Sequence, residues 1–300
     1  MNWRRLRSPP ARRQRERVSV DLIIQAKDIA SADLKTLCGL AGASSIVRIE
    51  HVAHQAFRLS AARPGSGPAV QVHCQNAGLD FAFVRPDMKL ADFGLMAMDM
   101  DSTLITIECI DEIADFAGKK PQVAAVTARA MRGEIDWPES LRQRVSQLAG
   151  LSESVLQRVF DERLALTPGA TVLINAAKRH GIKLLLVSGG FTYFTERLKA
   201  RLGIDYAYSN VLEIAAGKLT GTVTGPLCDA DGKARHLRET AAALSLPRER
   251  CIAIGDGAND LKMLAGAGLS IAYRAKPLVQ AEASVALNHV GLDGVLALFS

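Results

Sequence analysis

Four short runs of apolar residues, each as long as a single strand, alternate with helical patterns after residue 93. A strand that is apolar on both faces must be covered on both sides, which is typical of parallel sheets flanked by helices. The pattern therefore predicts an α/β fold with a Rossmann-like parallel sheet as its core. In such sheets ligands bind at the carboxyl ends of the strands. The runs are LMAMD (95–99), KLLLVS (183–188), CIAIGD (251–256) and LSIAY (269–273).

About eighty residues separate the first two runs, far more than a single crossover helix needs. Three stretches of this interval have the apolar spacing of amphipathic helices, and we expect a helical cap at about 106–165, inserted over the strand ends. Residues 211–223 predict a hairpin that turns at Ala216 and Gly217. Sheet, cap and hairpin together would form one domain, residues 91–300. The three helical stretches are 108–117, 123–132 and 138–148.

A different pattern covers residues 18–90, where strand-like and helical segments follow one another in the order βαββαβ. That order predicts a small α+β domain of the ferredoxin-like type. It resembles the ACT-type regulatory domains, many of which bind amino acids. Strands are expected at 18–25, 45–52, 54–61 and 79–84, helices at 32–40 and 69–76, a loop at 64–68 and a linker at 86–92.

The excess of positive charge is confined to residues 1–17, which contain seven arginines and one glutamate. The rest of the chain has 30 basic and 30 acidic residues, so its net charge is zero. A neutral body does not suggest a nucleic-acid partner, and residues 1–17 predict an unstructured basic tail. No apolar stretch typical of a secretory signal follows the tail, and no segment has the ~18 consecutive apolar residues of a membrane span.

The five cysteines are far apart in the sequence and include no CxxC pair. Their spacing indicates neither a disulfide framework nor a zinc site. We therefore expect reduced thiols, most of them buried, in a cytoplasmic protein.

Two carboxylates, Asp99 and Asp101, stand where the first apolar run opens into a loop. Both can face one pocket, and their like charges repel each other unless a cation lies between them. Mg²⁺ prefers oxygen ligands and keeps waters and substrate phosphates in its shell, and a carboxylate beside it can act as a nucleophile. A DxD pair can equally cap a helix or occupy a turn, so the pair alone does not define a site.

Two further motifs end the next two runs. Ser188, Gly189 and Gly190 precede a predicted helix, and a hydroxyl with glycine amides at a helix N-terminus is a suitable cradle for phosphate. A tight strand-to-helix turn favours the same residue types. GDGAND (255–260) offers two carboxylates and an amide at a sharp bend, or a helix cap with glycines for the turn.

The three motifs occur in a fixed order, each at the end of an apolar strand, with a helical insertion after the first. In this the chain resembles the haloacid dehalogenase-like superfamily of phosphatases, whereas the GxxxxGK[ST] and GxGxxG loops of nucleotide-binding folds are absent. About 205 residues, from Leu95 to the C-terminus, are similar to the phosphoserine phosphatase family. The segments that carry this similarity are 98–118, 130–145, 184–191, GKLTG (217–221) and 253–264.

The resemblance implies a role for each residue that matches a family motif. Asp99 would be the nucleophile, and Asp101 would protonate the departing serine oxygen and then activate the hydrolytic water. Mg²⁺ would be bound by the carboxylates of Asp99 and Asp256 and by the backbone carbonyl of Asp101. Asn259, near the substrate, and Asp260 would support the site.

The phosphate itself would be held by three further residues of the family pattern. Ser188 and Gly189 would bind phosphate oxygens, and Lys233 would neutralise the transferring phosphoryl group. Lys218 and Lys262 are near Lys233 in the sequence and are the alternatives for this lysine. Because the proton donor of the first step must be ionised in the second, its pKa has to lie near the working pH. Burial would raise that pKa and a metal would lower it.

The same resemblance assigns recognition of the serine moiety to the cap. Glu108 would pair with the substrate ammonium and Arg144 with its carboxylate. Met131 and Trp137 would close over the substrate, although most family members have phenylalanine in place of Trp137. In the alternative interpretation, Glu108 is only a first-turn helix acid and Arg144 only a partner of Ser140 on its own helix.

We therefore expect a Mg²⁺-dependent phosphatase that hydrolyses O-phospho-L-serine through a phosphorylated aspartate, the last step of serine biosynthesis. No nucleic-acid or membrane partner is expected, and a homodimer is one option. One alternative is a phosphatase or phosphotransferase of the same superfamily that acts on another small phosphate. The other is an amino-acid-sensing protein built from residues 18–90 with a retired phosphatase body. Intact Asp99, Asp101, Lys233 and Asp256 argue against retirement.

Overall fold

The computed structural model describes residues 20–300, which form two sheets and eleven helices. The predicted basic tail (1–17) lies outside the described residues. No helix within residues 20–300 is long and apolar enough to cross a membrane, and the cysteines there form no disulfide. In chain order the elements are β1 Val20–Ala26, α1 Ser31–Ala41, β2 Ser45–Arg48, β3 Gln55–Ala62, α2 Gly67–Ala77, β4 Asp80–Val84, β5 Leu95–Met98, α3 Cys109–Phe116, α4 Lys120–Met131, α5 Trp137–Ser146, α6 Ser154–Glu162, α7 Ala170–Arg179, β6 Lys183–Phe191, α8 Thr192–Leu202, β7 Tyr206–Ala215, β8 Lys218–Thr224, α9 Ala230–Ala243, β9 Cys251–Gly255, α10 Leu261–Ala265, β10 Leu269–Tyr273, α11 Pro277–Glu282 and β11 Val285–Leu287.

The N-terminal sheet has four antiparallel strands in the order β2-β3-β1-β4. Leu22 and Ile24, on one face of β1, share an apolar core with Leu37 of α1 and Val70 of α2. This is the predicted ferredoxin-like arrangement. The predicted loop at 64–68 is wrong in part, because its last two residues already belong to α2. Proline fits the first turn of a helix, where its missing N–H would have no partner.

The second sheet has seven strands in the order β11-β10-β9-β5-β6-β7-β8, parallel except for β8. Alternate residues of the central strand β5 enter different cores: Met96 and Met98 on one side, Leu95 and Ala97 on the other. Apolar side chains therefore cover both faces of the sheet, which confirms the predicted α/β class. The predicted hairpin is formed by β7 and β8.

Four helices, α3 to α6, form the insertion between β5 and α7, one more than the three that were predicted. At its base the two chain segments run side by side, because Ile105 pairs with Leu166 and the Thr106 N–H donates to the Ala165 carbonyl at 3.0 Å. On the far side, the N–H of Gly150 donates to a carbonyl of β8 at 2.9 Å. The cap is thus hydrogen-bonded to the core at two separate places.

The free face of the N-terminal sheet packs on the C-terminal end of the chain. Ile23 and Val84 belong to the same apolar cluster as Leu298. The Asp80 carboxylate accepts the backbone N–H groups of residues 288, 289 and 290 at 2.7, 2.8 and 3.2 Å. The two domains therefore share a continuous core that includes buried polar contacts.

Candidate active site

The carboxyl ends of β5, β6 and β9 bring the three sequence motifs together. Strand β5 lies between the other two, so residues that follow these strands lie at one edge of the sheet. The N–H of Asp99 donates to the Ile254 carbonyl at 3.0 Å, which keeps the two chains in register up to the first catalytic candidate. Asp99, Ser188 and Asp256 are therefore neighbours because of the strand order.

Asp99 is buried and held at both carboxylate oxygens. Its Oδ1 accepts the N–H of Met100 at 2.7 Å, and its Oδ2 lies 2.7 Å from Nζ of Lys233. Lys233, on the buried face of α9, is also 2.7 Å from Oδ1 of Asp260. One ammonium group thus bridges the ends of two strands.

Buried negative charge exceeds buried positive charge at this place. Burial and the Asp260 charge raise the pKa of Asp99 well above its usual value, and Lys233 offsets only part of this effect. Burial, together with Asp260, raises the pKa of Asp256 to about 6. Burial would lower the pKa of Lys233, but the two carboxylates it contacts outweigh this and hold its pKa above the usual value. Ionisation of all the carboxylates at neutral pH therefore calls for another cation.

Carboxylate oxygens of Asp99, Asp256 and Asp260 all lie within 4.8 Å of one another. A donor set of oxygens alone suits Mg²⁺. Both oxygens of Asp260 are already engaged, Oδ1 with the buried lysine and Oδ2 with the N–H groups of Asp256 and Gly257 at 3.1 and 2.9 Å. Asp99 and Asp256 are therefore better placed as ligands, while Asp260 fixes the turn.

Asp101 lies in the loop after β5, and its carboxylate contacts the start of α3 and the end of β6. Its Oδ1 accepts the N–H of Cys109 at 3.0 Å, and its Oδ2 lies 3.4 Å from Oγ of Ser188. Burial, with a contribution from the Glu108 charge, raises the pKa of Asp101 to about 7. Burial is thus the largest effect among the protein's own groups on the pKa of this carboxyl. A group with such a pKa can both give and take a proton near neutral pH.

The Ser188 loop needs both of its glycines. The hydroxyl of the buried Ser188 accepts the N–H of Gly190 at 2.8 Å. A Cβ atom on Gly189 would lie 2.8 Å from the ring of Trp137, and one on Gly190 would lie 2.7 Å from Oδ2 of Asp101. Any side chain there would displace the cap tryptophan or the carboxylate.

Arg144 and Glu108 both belong to the cap. The Arg144 Nε donates to the Ser140 carbonyl at 3.4 Å, the contact that the non-catalytic interpretation foresees. Burial lowers the pKa of Arg144, whereas the charges of Asp111, Glu108 and Asp101 oppose this. The guanidinium group therefore lies within electrostatic range of Glu108 and of Asp101.

Of the three candidate lysines, the structure brings only Lys233 to the carboxylates. Lys262 forms an exposed ion pair with Asp231 at 2.7 Å. Lys218 is exposed at the start of β8.

Two residues predicted to contact the substrate, Met131 and Asn259, have no hydrogen bond among residues 20–300 that ties their side chains to the other site residues. Met131 is the last residue of α4, and its side chain is 69% exposed. Asn259 lies on the turn between Asp256 and Asp260, partly buried, and the structure gives its side chain no hydrogen bond that would define its role.

Two hydroxyl groups that the residue-by-residue assignment left out support the site. Thr103 donates to Oδ1 of Asp256 at 2.9 Å, and Ser102 donates to Oε1 of Glu108 at 2.7 Å. Ser102 has a φ angle of 54°, in the left-handed region that few side chains adopt. The signal was present in the sequence, since both hydroxyls directly follow the paired carboxylates.

Comparison with protein-family models identifies the class of protein to which the chain belongs. The family model of haloacid dehalogenase-like hydrolases matches residues 96–265, more than half of the chain. A second model, for a domain of unknown function, matches residues 22–70.

Individual relatives narrow the class. A phosphoserine phosphatase of Polaromonas sp. (strain JS666 / ATCC BAA-500) is 54% identical over 226 residues, which cover 74% of this chain and 96% of that protein. The crystal structure of a probable phosphoserine phosphatase from Vibrio cholerae, 37% identical, has a TM-score of 0.80 and covers 95% of this chain and 88% of that one. A hydrolase of the same superfamily from Salmonella enterica serovar Typhi, 32% identical, has a TM-score of 0.87 over 94% and 99% of the chains. The chain belongs to the phosphoserine phosphatase family, which confirms the resemblance of its motifs.

Proposed function

We propose that this protein hydrolyses O-phospho-L-serine to L-serine and phosphate, with Mg²⁺ as its cofactor. The observation that carries the proposal is the buried ammonium of Lys233, 2.7 Å from both Asp99 and Asp260 at the strand ends. A nucleophile, a fixed positive charge and further carboxylates for a metal thus lie together. The Ser188 loop adjoins them.

Phosphoryl transfer depends on in-line positioning and on positive charge at the phosphate oxygens more than on a strong base. Lys233 would supply one such charge. The hydroxyl of Ser188 and the N–H of Gly189 would supply neutral donors. The absence of a Cβ atom at Gly189 leaves room for the ring of Trp137 beside the backbone.

In the first half-reaction an oxygen of Asp99 would attack phosphorus, and the bond from phosphorus to the serine oxygen would break. Asp101 would give its proton to that oxygen, which leaves as the hydroxyl of serine. In the second half-reaction the ionised Asp101 would take a proton from the water that attacks the aspartyl phosphate. Phosphate would leave, and Asp99 would be restored. The pKa of about 7 suits a residue that must do both.

The carboxylates of Asp99 and Asp256, with the backbone carbonyl of Asp101, would hold Mg²⁺. The bound ion would add positive charge to the phosphate oxygens and favour ionised carboxylates around it. The raised pKa of Asp99 supports this assignment, because a bound cation would offset the burial and the Asp260 charge that disfavour the ionised form of the nucleophile.

Selection of serine would rest on charges of opposite sign in the cap. Glu108 would accept the substrate ammonium, and Arg144 would hold the substrate carboxylate by two parallel hydrogen bonds. The ring of Trp137 would cover the serine side of the Ser188 loop (residues 188–190), which we call the phosphate loop. Met131 would reach the substrate only after the cap has closed further over the site.

The test is phosphate release from a matched panel in the presence of Mg²⁺. The panel contains O-phospho-L-serine, O-phospho-L-threonine, glycerol phosphate and an aryl phosphate, each with and without homoserine as acceptor. We expect the highest kcat/KM for O-phospho-L-serine, loss of activity with a chelator and recovery with Mg²⁺. Equal kcat/KM values across the panel would contradict the assigned substrate. Formation of phosphohomoserine would favour a phosphotransferase.

A further inference from the structure

Asn210 is a polar residue in the middle of β7, only 1% exposed, and lies outside all of the sequence motifs. A fully buried amide needs a partner for its donor end and another for its acceptor end. The structure provides both partners, and each is a backbone group of a segment that carries site residues. That position between two functional segments distinguishes Asn210 from an ordinary buried polar residue.

The donor end, Nδ2, gives a hydrogen bond to the Gly189 carbonyl at 2.8 Å. The acceptor end, Oδ1, receives the N–H of Cys228 at 2.8 Å. Because a carbonyl needs a donor and an N–H needs an acceptor, these partners fix the orientation of the amide. One partner belongs to the phosphate loop, and the other immediately precedes Asp229, the N-cap residue of the helix that carries Lys233.

The contact with Gly189 affects more than one carbonyl. The peptide unit between Gly189 and Gly190 is planar, so fixing its carbonyl also fixes the direction of its N–H. That N–H donates to Oγ of Ser188, which in turn lies 3.4 Å from Oδ2 of Asp101. Two successive glycines have too much conformational freedom to hold this peptide plane by themselves.

The contact with Cys228 acts on the other side of the phosphate. Asp229 accepts the N–H of Gly232 at its side chain and the N–H of Lys233 at its carbonyl, both at 2.8 Å. A shift of Cys228 would therefore be passed to the first turn of α9 and to the ammonium it carries.

We propose that Asn210 is a positioning residue, which sets the phosphate loop at a fixed distance from α9, the helix that carries Lys233. It touches neither the phosphate nor the metal in the proposed reaction. The inference rests on the proposed function, since it assumes that the Ser188 loop and Lys233 hold the same phosphoryl group.

The test compares two nearly isosteric variants of buried polar residues. Asn210→Asp keeps the size of the side chain and the acceptor for Cys228, but its ionised form turns an oxygen toward the Gly189 carbonyl. Thr195→Val is the control, because Thr195 is buried and its side chain hydrogen-bonds Ser209, the neighbour of Asn210, instead of a backbone group of either functional segment. Both variants should lower the melting temperature.

Only Asn210→Asp should impair the chemistry. We expect kcat on O-phospho-L-serine to fall about 10- to 100-fold, because small misplacements of groups around a reacting centre are costly. KM should change by less than about threefold, since Asn210 does not touch the residues assigned to the serine moiety. An aryl phosphate should lose the same factor in kcat. Thr195→Val should keep kcat within about twofold of the wild type.

If Asn210→Asp does not fold, Asn210→Ser, which cannot reach both partners, is measured in the same way. The inference alone would be overturned if the wild type is active and the Asn210 variant keeps its kcat. It would also be overturned if Thr195→Val lowers kcat as much as the Asn210 variant does. A wild type that releases no phosphate from any monoester would overturn the proposed function and this inference with it.

Discussion

The N-terminal domain and the core domain bury carboxylates in different ways. In the N-terminal domain the carboxylates stand apart and each has its own donors: Asp21 contacts Arg58 at 3.1 Å, and Asp80 accepts three backbone N–H groups. These contacts hold the sheet and join the domains. The donors of these two carboxylates all belong to the protein, so no bound ligand is needed to pair them.

In the core domain Asp99, Asp256 and Asp260 lie within 4.8 Å of one another around the single ammonium of Lys233. No other group of three potential metal ligands in residues 20–300 lies this close together. A cluster of like charges costs stability and is typical of places where a metal or substrate completes the balance. An excess of one sign of charge, rather than buried charge as such, therefore marks the functional site.

The largest expected difference between the two regions is in the rate of the reaction. Asp99→Asn replaces the proposed nucleophile and should lower kcat by about 10⁴-fold or more. In the presence of a chelator the variant should unfold at about the same temperature as the wild type, because relief of the clustered negative charge opposes the loss of one contact of Lys233. The measurement is phosphate release together with thermal unfolding in the presence of a chelator.

Asp80→Asn is the matched control from the N-terminal domain. It replaces a carboxylate oxygen that accepts backbone N–H groups, so the free energy of unfolding should fall by about 1–3 kcal/mol. Its kcat should stay within about twofold of the wild type. If Asp80→Asn abolished turnover in a folded protein, or if Asp99→Asn left the rate intact, the contrast between the regions would be wrong.

The next effect concerns Glu108 and Arg144, the two charged groups that would pair with the substrate in the proposed function. Loss of one partner of a desolvated ion pair costs ~2–5 kcal/mol, so Glu108→Gln and Arg144→Ala should each lower kcat/KM for O-phospho-L-serine about 30-fold or more. Hydrolysis of an aryl phosphate, which has neither ammonium nor carboxylate, should change little. Equal losses on both substrates would mean that these residues support the fold or the metal site instead.

A smaller effect is expected from Mg²⁺ on stability. The raised pKa values of Asp99 and Asp256 mean that the folded protein binds more protons than the unfolded chain above about pH 4, so its stability falls as the pH rises through about 6. A cation that pairs with the ionised carboxylates removes this penalty. Mg²⁺ at about ten times its dissociation constant should add about 1.4 kcal/mol.

The melting temperature should therefore rise more with Mg²⁺ at about pH 8 than at about pH 5, and hardly at all in Asp256→Asn. Calorimetry of the wild type and of this variant, with Mg²⁺ or a chelator, measures both differences. The same rise at both pH values, or in the variant, would place the ion elsewhere.

The smallest effect is expected from residues 1–17, which carry all the excess positive charge and none of the motifs. Deletion of this segment should leave kcat and KM on O-phospho-L-serine within about twofold of the full chain. Steady-state kinetics of the two proteins at equal ionic strength make the comparison. A large fall in kcat of a folded deletion variant would give the tail a part in catalysis.

The parallel sheet could be predicted because its strands are apolar on both faces, a local pattern that does not depend on the rest of the chain. The position of the carboxylates followed from it, since each motif directly ends a strand. The cap was less predictable: α6 was missed, although Val155, Leu156 and Val159 stand at helical spacing and the shorter α3 was predicted.

Contacts between distant segments could not be predicted from the sequence. Asp80 and the backbone it binds are 208 to 210 positions apart, and no local pattern marks either of them. Asn210 has the same character, since a single asparagine in a strand has meaning only through its partners. The exposure of Met131 depends on how the cap packs on the core, which no spacing of residues determines.

The most direct test of the account is to find where the phosphate is during turnover. The protein is mixed with O-phospho-L-serine and Mg²⁺, quenched in acid within the first turnovers, digested and mapped by peptide mass spectrometry. The account predicts an acid-stable, base-labile phosphoryl group on Asp99 and on no other residue, with serine released ahead of phosphate. Turnover that leaves Asp99 unmodified while another residue carries the phosphoryl group would contradict it.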